Sequence, residues 1–323
     1  MSAFEDLVAS LPERGRAWHG ERLIEHTEAN RPHIVNSTRA LPERPGPCLI
    51  VSAGPSLVRE GVLGRIHEAK FGGTLIATDG AYIQCLRAGI VPDYVVTLDP
   101  HPTRMVRWFG DPELEKNLNG DDYFSRQDLD VAFRENQAAT NAENITLVDR
   151  HRAPLVIAST VAENVARRTD LHERYWFVPL VDDPANPEGL THRMMLATSL
   201  PAMNTGGTVG TAAWVFAHSI LKSENIAVVG FDYSYYDDLP LTQTQEWNML
   251  KDEPNVGEFF PLLSTPWGMC RTSPTYWWYA HNLFDLLSAN DAVITNCSEH
   301  GIIYGPNIKR RVLTDWLYET RRP

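Results

Sequence analysis

Short apolar runs alternate with helix-patterned segments along most of the chain, and this alternation most constrains the fold. The runs lie within CLIVSA, GTLIATDG, PDYVVTLDP, NITLVD, RYWFVPLV, NIAVVGFDYS and AVITNCS. SLVREGVLGRIHEA and AYIQCLRAG, which lie between the first runs, have helical spacing of apolar residues. Strands that are apolar throughout are typical of a parallel sheet covered by helices. The pattern therefore predicts an α/β fold: a doubly wound, Rossmann-like, mostly parallel sheet with helices on both faces.

The 323 residues divide into a central domain and two short flanking segments. We predict an N-terminal helical segment over 1–45, with one helix in FEDLVASL and another in HGERLIEHTEANR. A break rich in Pro and Gly, ALPERPGPC, precedes the Rossmann-like domain, which we place at 46–310. Residues 311–323 are predicted to form a C-terminal helix or tail.

Residues 237–280 are aromatic and poor in periodicity, and a segment of this length predicts a lid-like insertion. Its end carries four consecutive aromatic residues, Tyr276, Trp277, Trp278 and Tyr279. These rings could stack on a ring of a ligand, or they could pack in the core or in a subunit interface. Packing of these rings in a subunit interface would be consistent with a homo-oligomer.

Charge and composition exclude several classes of protein. The net charge of −12 argues against nonspecific binding to nucleic acid or to an anionic membrane. No apolar run approaches the roughly 20 residues of a membrane span, and MSAFEDLVASLPERG lacks the pattern of a signal peptide. The four cysteines are scattered without CxxC spacing, so a structural zinc site is not expected. We therefore expect a cytoplasmic protein with reduced thiols.

Small and polar residues follow the predicted strands, where open α/β sheets bind their ligands. They are Gly54, Pro55, Ser56, Asp79, Gly80, Asp99, His101, Asp232, Asn296, Ser298 and Glu299. In SAGPSL, a glycine before a helix start favours a turn that cradles phosphate, although a simple tight turn has the same pattern. The stretch is neither a Walker loop nor GxGxxG. A second glycine cluster, Gly206-Gly207-Thr208, opens another helix and predicts the second wall of a nucleotide site.

Five motifs, taken in order, resemble a known family. VSAGPSL, ATDGAYIQCLRAGIVPDYVVTLDP, NTGGTVGTAAWVFA, NIAVVGFDYSYYDD and VITNCSEHGIIYG are similar to the 6-hydroxymethylpterin diphosphokinase MptE-like domain, over roughly residues 46–310. That domain also occurs in the motility accessory factors, which are bacterial glycosyltransferases that modify flagellin. The Gly-Pro-Ser-Leu turn is also similar to that of bacterial sialyltransferases that use CMP-activated sugars.

The resemblance implies one of two reactions. The first is transfer of a nonulosonic, sialic-acid-like sugar from a CMP donor to a hydroxyl acceptor, for which no cofactor is essential. The second is transfer of pyrophosphate from ATP to a hydroxymethyl pterin, which requires Mg²⁺. The pterin enzymes tend to have Asp-Leu-Asp-Gly after the third strand, whereas this chain has Thr97-Leu98-Asp99-Pro100-His101. TGGTVGTAA followed by GFDYSYY also looks more like the transferases.

The sequence departs from the transferase pattern at one place, and this departure keeps a third function possible. The transferases usually carry a Thr-His pair shortly after the Gly-x-Asp-x-x-Tyr motif, but this chain reads DDLPLTQTQEWNM there. This departure leaves the donor sugar and the acceptor undetermined, and a catalytically silent nucleotide-binding module remains an alternative.

The resemblance also implies roles for the strand-end residues. The nucleotide-binding set is Gly54, Pro55, Ser56, Asp79, Gly80, Asp99, Gly206, Gly207, Thr208, Asn296, Ser298 and Glu299. Asp79 could instead be a helix cap, and Asn296, Ser298 and Glu299 an ordinary turn. Asp232 would deprotonate the acceptor or recognise the base, and His101 is the other candidate base unless it is a surface histidine. Tyr235 and Tyr236 would bond the departing phosphate or pack in a loop. No residue is assigned to a metal.

Overall fold

A computed structural model describes residues 2–114, 136–244 and 246–320. The strands are β1 (Asn36–Ser37), β2 (Pro47–Val51), β3 (Thr74–Thr78), β4 (Tyr94–Thr97), β5 (Leu155–Ala158), β6 (Arg174–Leu180), β7 (Ala202–Asn204), β8 (Asn225–Val229), β9 (Tyr235–Tyr236), β10 (Leu262–Thr265), β11 (Gly268–Arg271), β12 (Ile294–Asn296) and β13 (Ile308–Arg310).

The helices around these strands range from single turns to a 28-residue helix at the N-terminus. They are α1 (Ala3–Asn30), α2 (Ser56–Arg59), α3 (Val62–Ala69), α4 (Asp79–Arg87), α5 (Met105–Trp108), α6 (Gln137–His151), α7 (Glu163–Arg168), α8 (Leu190–Thr198), α9 (Val209–Val215), α10 (Trp247–Leu250), α11 (Pro274–Ala289) and α12 (Leu313–Glu319). In the described ranges, no helix is both long and apolar enough to cross a membrane.

Ten strands form one sheet in the order β1-β6-β5-β4-β3-β2-β8-β12-β13, with β7 beside β6. The strand pairs of this sheet are parallel. Because the chain runs outward from β2 through β3 to β6 and then returns to β8 on the other side of β2, the sheet is doubly wound. The fold class predicted from the sequence is confirmed.

The apolar runs are strands because they fill the centre of the core. The side chains of Cys48, Leu49, Ile50 and Val51 in β2 are fully buried, and the central residues of β4, β5 and β8 are buried in the same way. Both faces of these strands are covered, so the side chains that point to either face are buried and apolar. This burial explains why apolar and polar residues do not alternate along the strands.

Two sequence-based predictions of secondary structure are wrong. NITLVD lies inside the helix Gln137–His151, where Val148 is buried with helical spacing from Asn144. A short apolar run has the same appearance in a buried helix as in a strand. The two helices predicted at the N-terminus are one continuous helix, Ala3–Asn30, which begins with a Ser2–Glu5 capping box and contains Pro12.

The segment 237–280 contains regular structure. β10 and β11 form an antiparallel hairpin, and β11 also pairs with β9. Pro274 begins the 16-residue helix α11, so the four consecutive aromatic residues belong to its first two turns rather than to a loop. The lid-like role of the segment stays a prediction.

Candidate active site

The crevice of a doubly wound sheet lies where the strand order reverses, which here is at the carboxyl ends of β2 and β8. Pairing of the two strands continues past their ends, because the Gly54 N–H donates to the Gly230 carbonyl at 2.9 Å. A Cβ on Gly54 would lie 2.4 Å from that oxygen. Only glycine therefore allows the turn after β2 to lie this close to the turn after β8.

Asp232, in the turn after β8, forms hydrogen bonds with the turn after β2. Its two carboxylate oxygens accept from the Ser56 N–H at 2.6 Å and from the Ser56 hydroxyl at 2.7 Å. The carboxyl is buried, and this burial raises its pKa to about 7, although the bonds from Ser56 act in the opposite direction. Phosphate binding by Ser56 and deprotonation of an acceptor by Asp232 would both require this pair to open, and both roles stay predictions.

Asp79 and Asp99 lie at the ends of the adjacent strands β3 and β4. Asp79 is buried at the start of α4, and it accepts from the Thr97 hydroxyl at 2.8 Å and from the Gly80 N–H at 2.7 Å. The pKa of Asp79 is raised to about 7, mainly by burial and also by the negative charge of Asp99. The two carboxyl groups therefore influence each other electrostatically.

Arg104 brings a positive charge to this carboxylate pair, and sequence reasoning missed it. Its guanidinium forms an ion pair with Asp99, with 37% of the arginine side chain exposed. The only sequence signal was an acid and a base five residues apart after a strand. Asp99 also accepts from the backbone N–H of His101 at 2.8 Å. The imidazole Nδ1 of His101 lies 2.9 Å from the Thr103 hydroxyl. His101 thus lies beside the same pair.

The second glycine cluster lies against α11. Gly206 and Gly207 both have positive φ angles, of 54° and 82°, and a Cβ on Gly207 would lie 3.0 Å from the Trp278 ring and 3.3 Å from the Tyr279 ring. Thr208 caps α9, and its hydroxyl lies 3.0 Å from the Tyr233 hydroxyl. The predicted second wall is therefore in contact with aromatic side chains.

We call Tyr233, Trp278 and Tyr279 the aromatic wall. The Tyr233 and Tyr279 ring centroids are 6.3 Å apart. Burial raises the pKa of Tyr279, the charge of Glu246 adds to this, and the charge of Arg104 opposes it. The charges of Arg104 and Glu246 therefore act on the pKa of one member of the aromatic wall.

The residues after β12 hold their own loop. Asn296 accepts from the Ser298 N–H and donates to the Ile303 carbonyl, each at 2.8 Å. The Ser298 hydroxyl accepts from the Phe231 N–H, and Glu299 forms an ion pair with Arg65. These contacts are those of a structural turn, and a nucleotide role for the three residues stays a prediction.

The two tyrosines of β9 have different surroundings. Tyr235 is buried in a small apolar cluster with Phe259 and Phe260. Tyr236 stacks on His300 with ring centroids 3.7 Å apart and donates its hydroxyl to Glu60 at 2.7 Å. The burial of Tyr235 is consistent with the packing alternative, and contact of either tyrosine with the departing phosphate stays a prediction.

A metal site of the usual kind is not formed by the described residues. Residues 2–114, 136–244 and 246–320 contain no group of three or more His, Cys, Asp or Glu placed to hold a metal ion. Asp79 and Asp99 are two carboxylates without a third, and Arg104 is beside them.

Comparison with known proteins supports the resemblance seen in the motifs. A family model described as 6-hydroxymethylpterin diphosphokinase MptE-like matches residues 22–114, a range that includes the first turn, Asp79, Asp99 and Arg104. A search of curated proteins found no match.

A solved structure has the same fold. The chain is similar to the MAf glycosyltransferase from Magnetospirillum magneticum AMB-1, with a TM-score of 0.54 and 16% sequence identity. The similarity covers 91% of this chain but only 38% of the glycosyltransferase. The chain therefore spans well under half of that protein, and the likeness establishes the shared fold.

Proposed function

We propose that the chain is a glycosyltransferase that moves a nonulosonic, sialic-acid-like sugar from a CMP donor to a hydroxyl acceptor. The observation that carries the proposal is a charged cluster at the carboxyl edge of the sheet, the ion pair of Arg104 with Asp99, whose charges also act on Asp79 and Tyr279. The fold shared with a MAf glycosyltransferase supports the same reaction class.

The charges of such a donor match this cluster. A CMP-linked nonulosonic acid carries a phosphate and a sugar carboxylate, and a guanidinium can bond either group with two parallel hydrogen bonds. Arg104 is partly exposed, so a donor could replace Asp99 as its partner. Tyr279 and Trp278 would then cover the bound ring, as aromatic side chains do with flat ligands.

The reaction would be a direct displacement. The acceptor oxygen forms a bond to the anomeric carbon while the bond from that carbon to the CMP oxygen breaks, and the electron pair leaves with CMP. The acceptor proton passes to a general base, for which His101 is the candidate nearest to the cluster. Asp232 would act at a distance by holding the turn after β2 in place.

A second candidate is an ATP- and Mg²⁺-dependent pyrophosphokinase acting on a pterin-like alcohol. The match of residues 22–114 to a family named for that activity favours it. Asp79 and Asp99 are neighbouring carboxylates, the ligand type that Mg²⁺ prefers together with substrate phosphates. In this reading Arg104 would have to leave Asp99 when the metal binds.

A thermal-shift titration separates the candidates. The protein is titrated with CMP, CDP, UDP, ATP and GTP, each with and without Mg²⁺, and saturation at 100 times Kd should add about 2.7 kcal/mol of stability. We expect CMP to stabilise the protein without metal. Stabilisation by ATP only with Mg²⁺ would favour the pyrophosphokinase, and no shift with any nucleotide would refute both.

Turnover distinguishes an enzyme from a silent binding module. CMP-N-acetylneuraminate is incubated with the protein, and the release of CMP is measured. We expect CMP release that is lost in Arg104→Gln and kept in Arg193→Gln, because Arg193 pairs with Glu21 on an exposed surface. Binding of CMP without its release from the donor would favour the silent module.

A further inference from the structure

Glu246 is a buried carboxyl that none of the steps above uses. It lies between β9 and β10, and only 5% of it is exposed. One of its oxygens accepts from the Ser273 hydroxyl at 2.7 Å. The side chain and the backbone of Thr275 also donate to it. A buried carboxyl needs several donors, and Ser273 and Thr275 are the N-cap and an early residue of a single helix.

These donors belong to the N-terminus of α11. Ser273 is its N-cap, and the Ser273 hydroxyl oxygen accepts from the Tyr276 N–H at 3.3 Å. A hydroxyl has one proton and two lone pairs, so donation to Glu246 leaves a lone pair directed at the helix. Glu246 therefore fixes the orientation of the cap, and the partial positive charge of the helix end favours its carboxylate.

The helix held in this way carries two members of the aromatic wall. Trp278 and Tyr279 lie in the turns that follow the cap, and both rings meet the Gly207 backbone. The charge of Glu246 also acts on Tyr279 and raises its pKa. A shift of the helix start would move both rings relative to Gly207.

We propose that Glu246 is a positioning residue that fastens the segment between β9 and β10 to the start of α11 and thereby sets the place of Trp278 and Tyr279 over the nucleotide. The attachment of the segment to the start of α11 does not depend on the reaction. The effect of Glu246 on ligand binding rests on the proposed function. We assign Glu246 itself no contact with the substrate, because its carboxyl is buried and bonded to the start of α11.

The test uses Glu246→Gln, which keeps the shape of the side chain and replaces one acceptor oxygen with an amide nitrogen that donates. Glu253→Gln is the matched control, because Glu253 is an exposed glutamate of the same segment. Ser273→Ala removes the hydroxyl that donates to Glu246. This second variant keeps the test decisive if Glu246→Gln does not fold.

Two measurements are made on each variant. Hydrogen exchange of the peptide that contains Tyr276 reports the fastening. KM and kcat for hydrolysis of CMP-N-acetylneuraminate report the position of the wall. We expect Glu246→Gln and Ser273→Ala to speed exchange about tenfold and to raise KM about tenfold with kcat within about twofold, and Glu253→Gln to match the wild type.

The outcomes separate the two proposals. Unchanged exchange in Glu246→Gln would overturn the fastening, and faster exchange with an unchanged KM would reduce Glu246 to a purely structural cap and overturn its positioning role. If the wild type neither binds CMP nor hydrolyses the donor, the proposed function fails and the effect on ligand binding fails with it. The exchange measurement still decides the fastening in that case.

Discussion

Replacement of Asp232 by asparagine should remove a large part of the pH dependence of stability. In the folded protein burial raises the pKa of Asp232 from its ordinary value of 3.8 to about 7. A carboxyl with a raised pKa contributes stability that is fully present below its unfolded pKa and is lost as the pH rises through its folded pKa. The amide of the Asp232→Asn variant would not titrate, yet it could still accept from the Ser56 N–H and donate to the Ser56 hydroxyl.

The size of the effect follows from these two pKa values. With values of about 4 unfolded and about 7 folded, a single carboxyl loses about 2.5 kcal/mol of stabilisation between pH 5 and pH 8. Burial also raises the pKa values of Asp79 and Glu246 to about 7, so the wild type should lose more than this. The asparagine variant should lose about 2.5 kcal/mol less than the wild type, and near pH 5 the two should differ by about 1 kcal/mol.

Urea denaturation at pH 5 and pH 8 measures these differences. Asp285→Asn is the matched control, because it removes an exposed carboxyl from α11 and should leave the pH dependence of the wild type intact. If Asp232→Asn loses as much stability between the two pH values as the wild type, then Asp232 is not a carboxyl with a raised pKa, and the reasoning from its burial is wrong.

Four further substitutions test the turn after β2, with a helix glycine as its control, the cluster and the α9 cap. Gly54→Ala places a Cβ 2.4 Å from the Gly230 oxygen and should lose about 2–3 kcal/mol, whereas Gly64→Ala, with no atom within 4 Å, should gain up to about 1 kcal/mol in urea denaturation. Arg104→Gln should raise the Kd for CMP about tenfold or more in calorimetry, and an unchanged Kd would remove Arg104 from the site. Thr208→Ala should cost about 1 kcal/mol in a thermal melt through loss of the α9 cap, and an unchanged Tm would count against this cap.

Strand prediction succeeded where burial on both faces left a clear pattern. CLIVSA, GTLIATDG and NIAVVGFDYS contain β2, β3 and β8, because central parallel strands must be apolar throughout. NITLVD has the same pattern but lies in α6, since a short apolar run does not distinguish a strand from a buried helix face.

The candidate site was predictable only as a set of strand ends. Glycines and acids after apolar runs marked Gly54, Asp79, Asp99 and Asp232, since parallel strands end at one edge. Their mutual contacts were not predictable, because Asp232 bonds to Ser56 across 176 positions of the chain. No periodicity or turn signal carries information over such a distance.

The sequence by itself determined the fold class and the edge of the sheet at which a ligand should bind, because apolar patterning and turn chemistry are local properties. Only the tertiary structure decided that Ser56 and Asp232 bond to each other, that Arg104 pairs with Asp99, and that Glu246 accepts from the N-cap serine of the helix carrying Trp278 and Tyr279. Strand order and helix packing set those partners, and a buried polar group is bonded to whatever donor the fold brings to it.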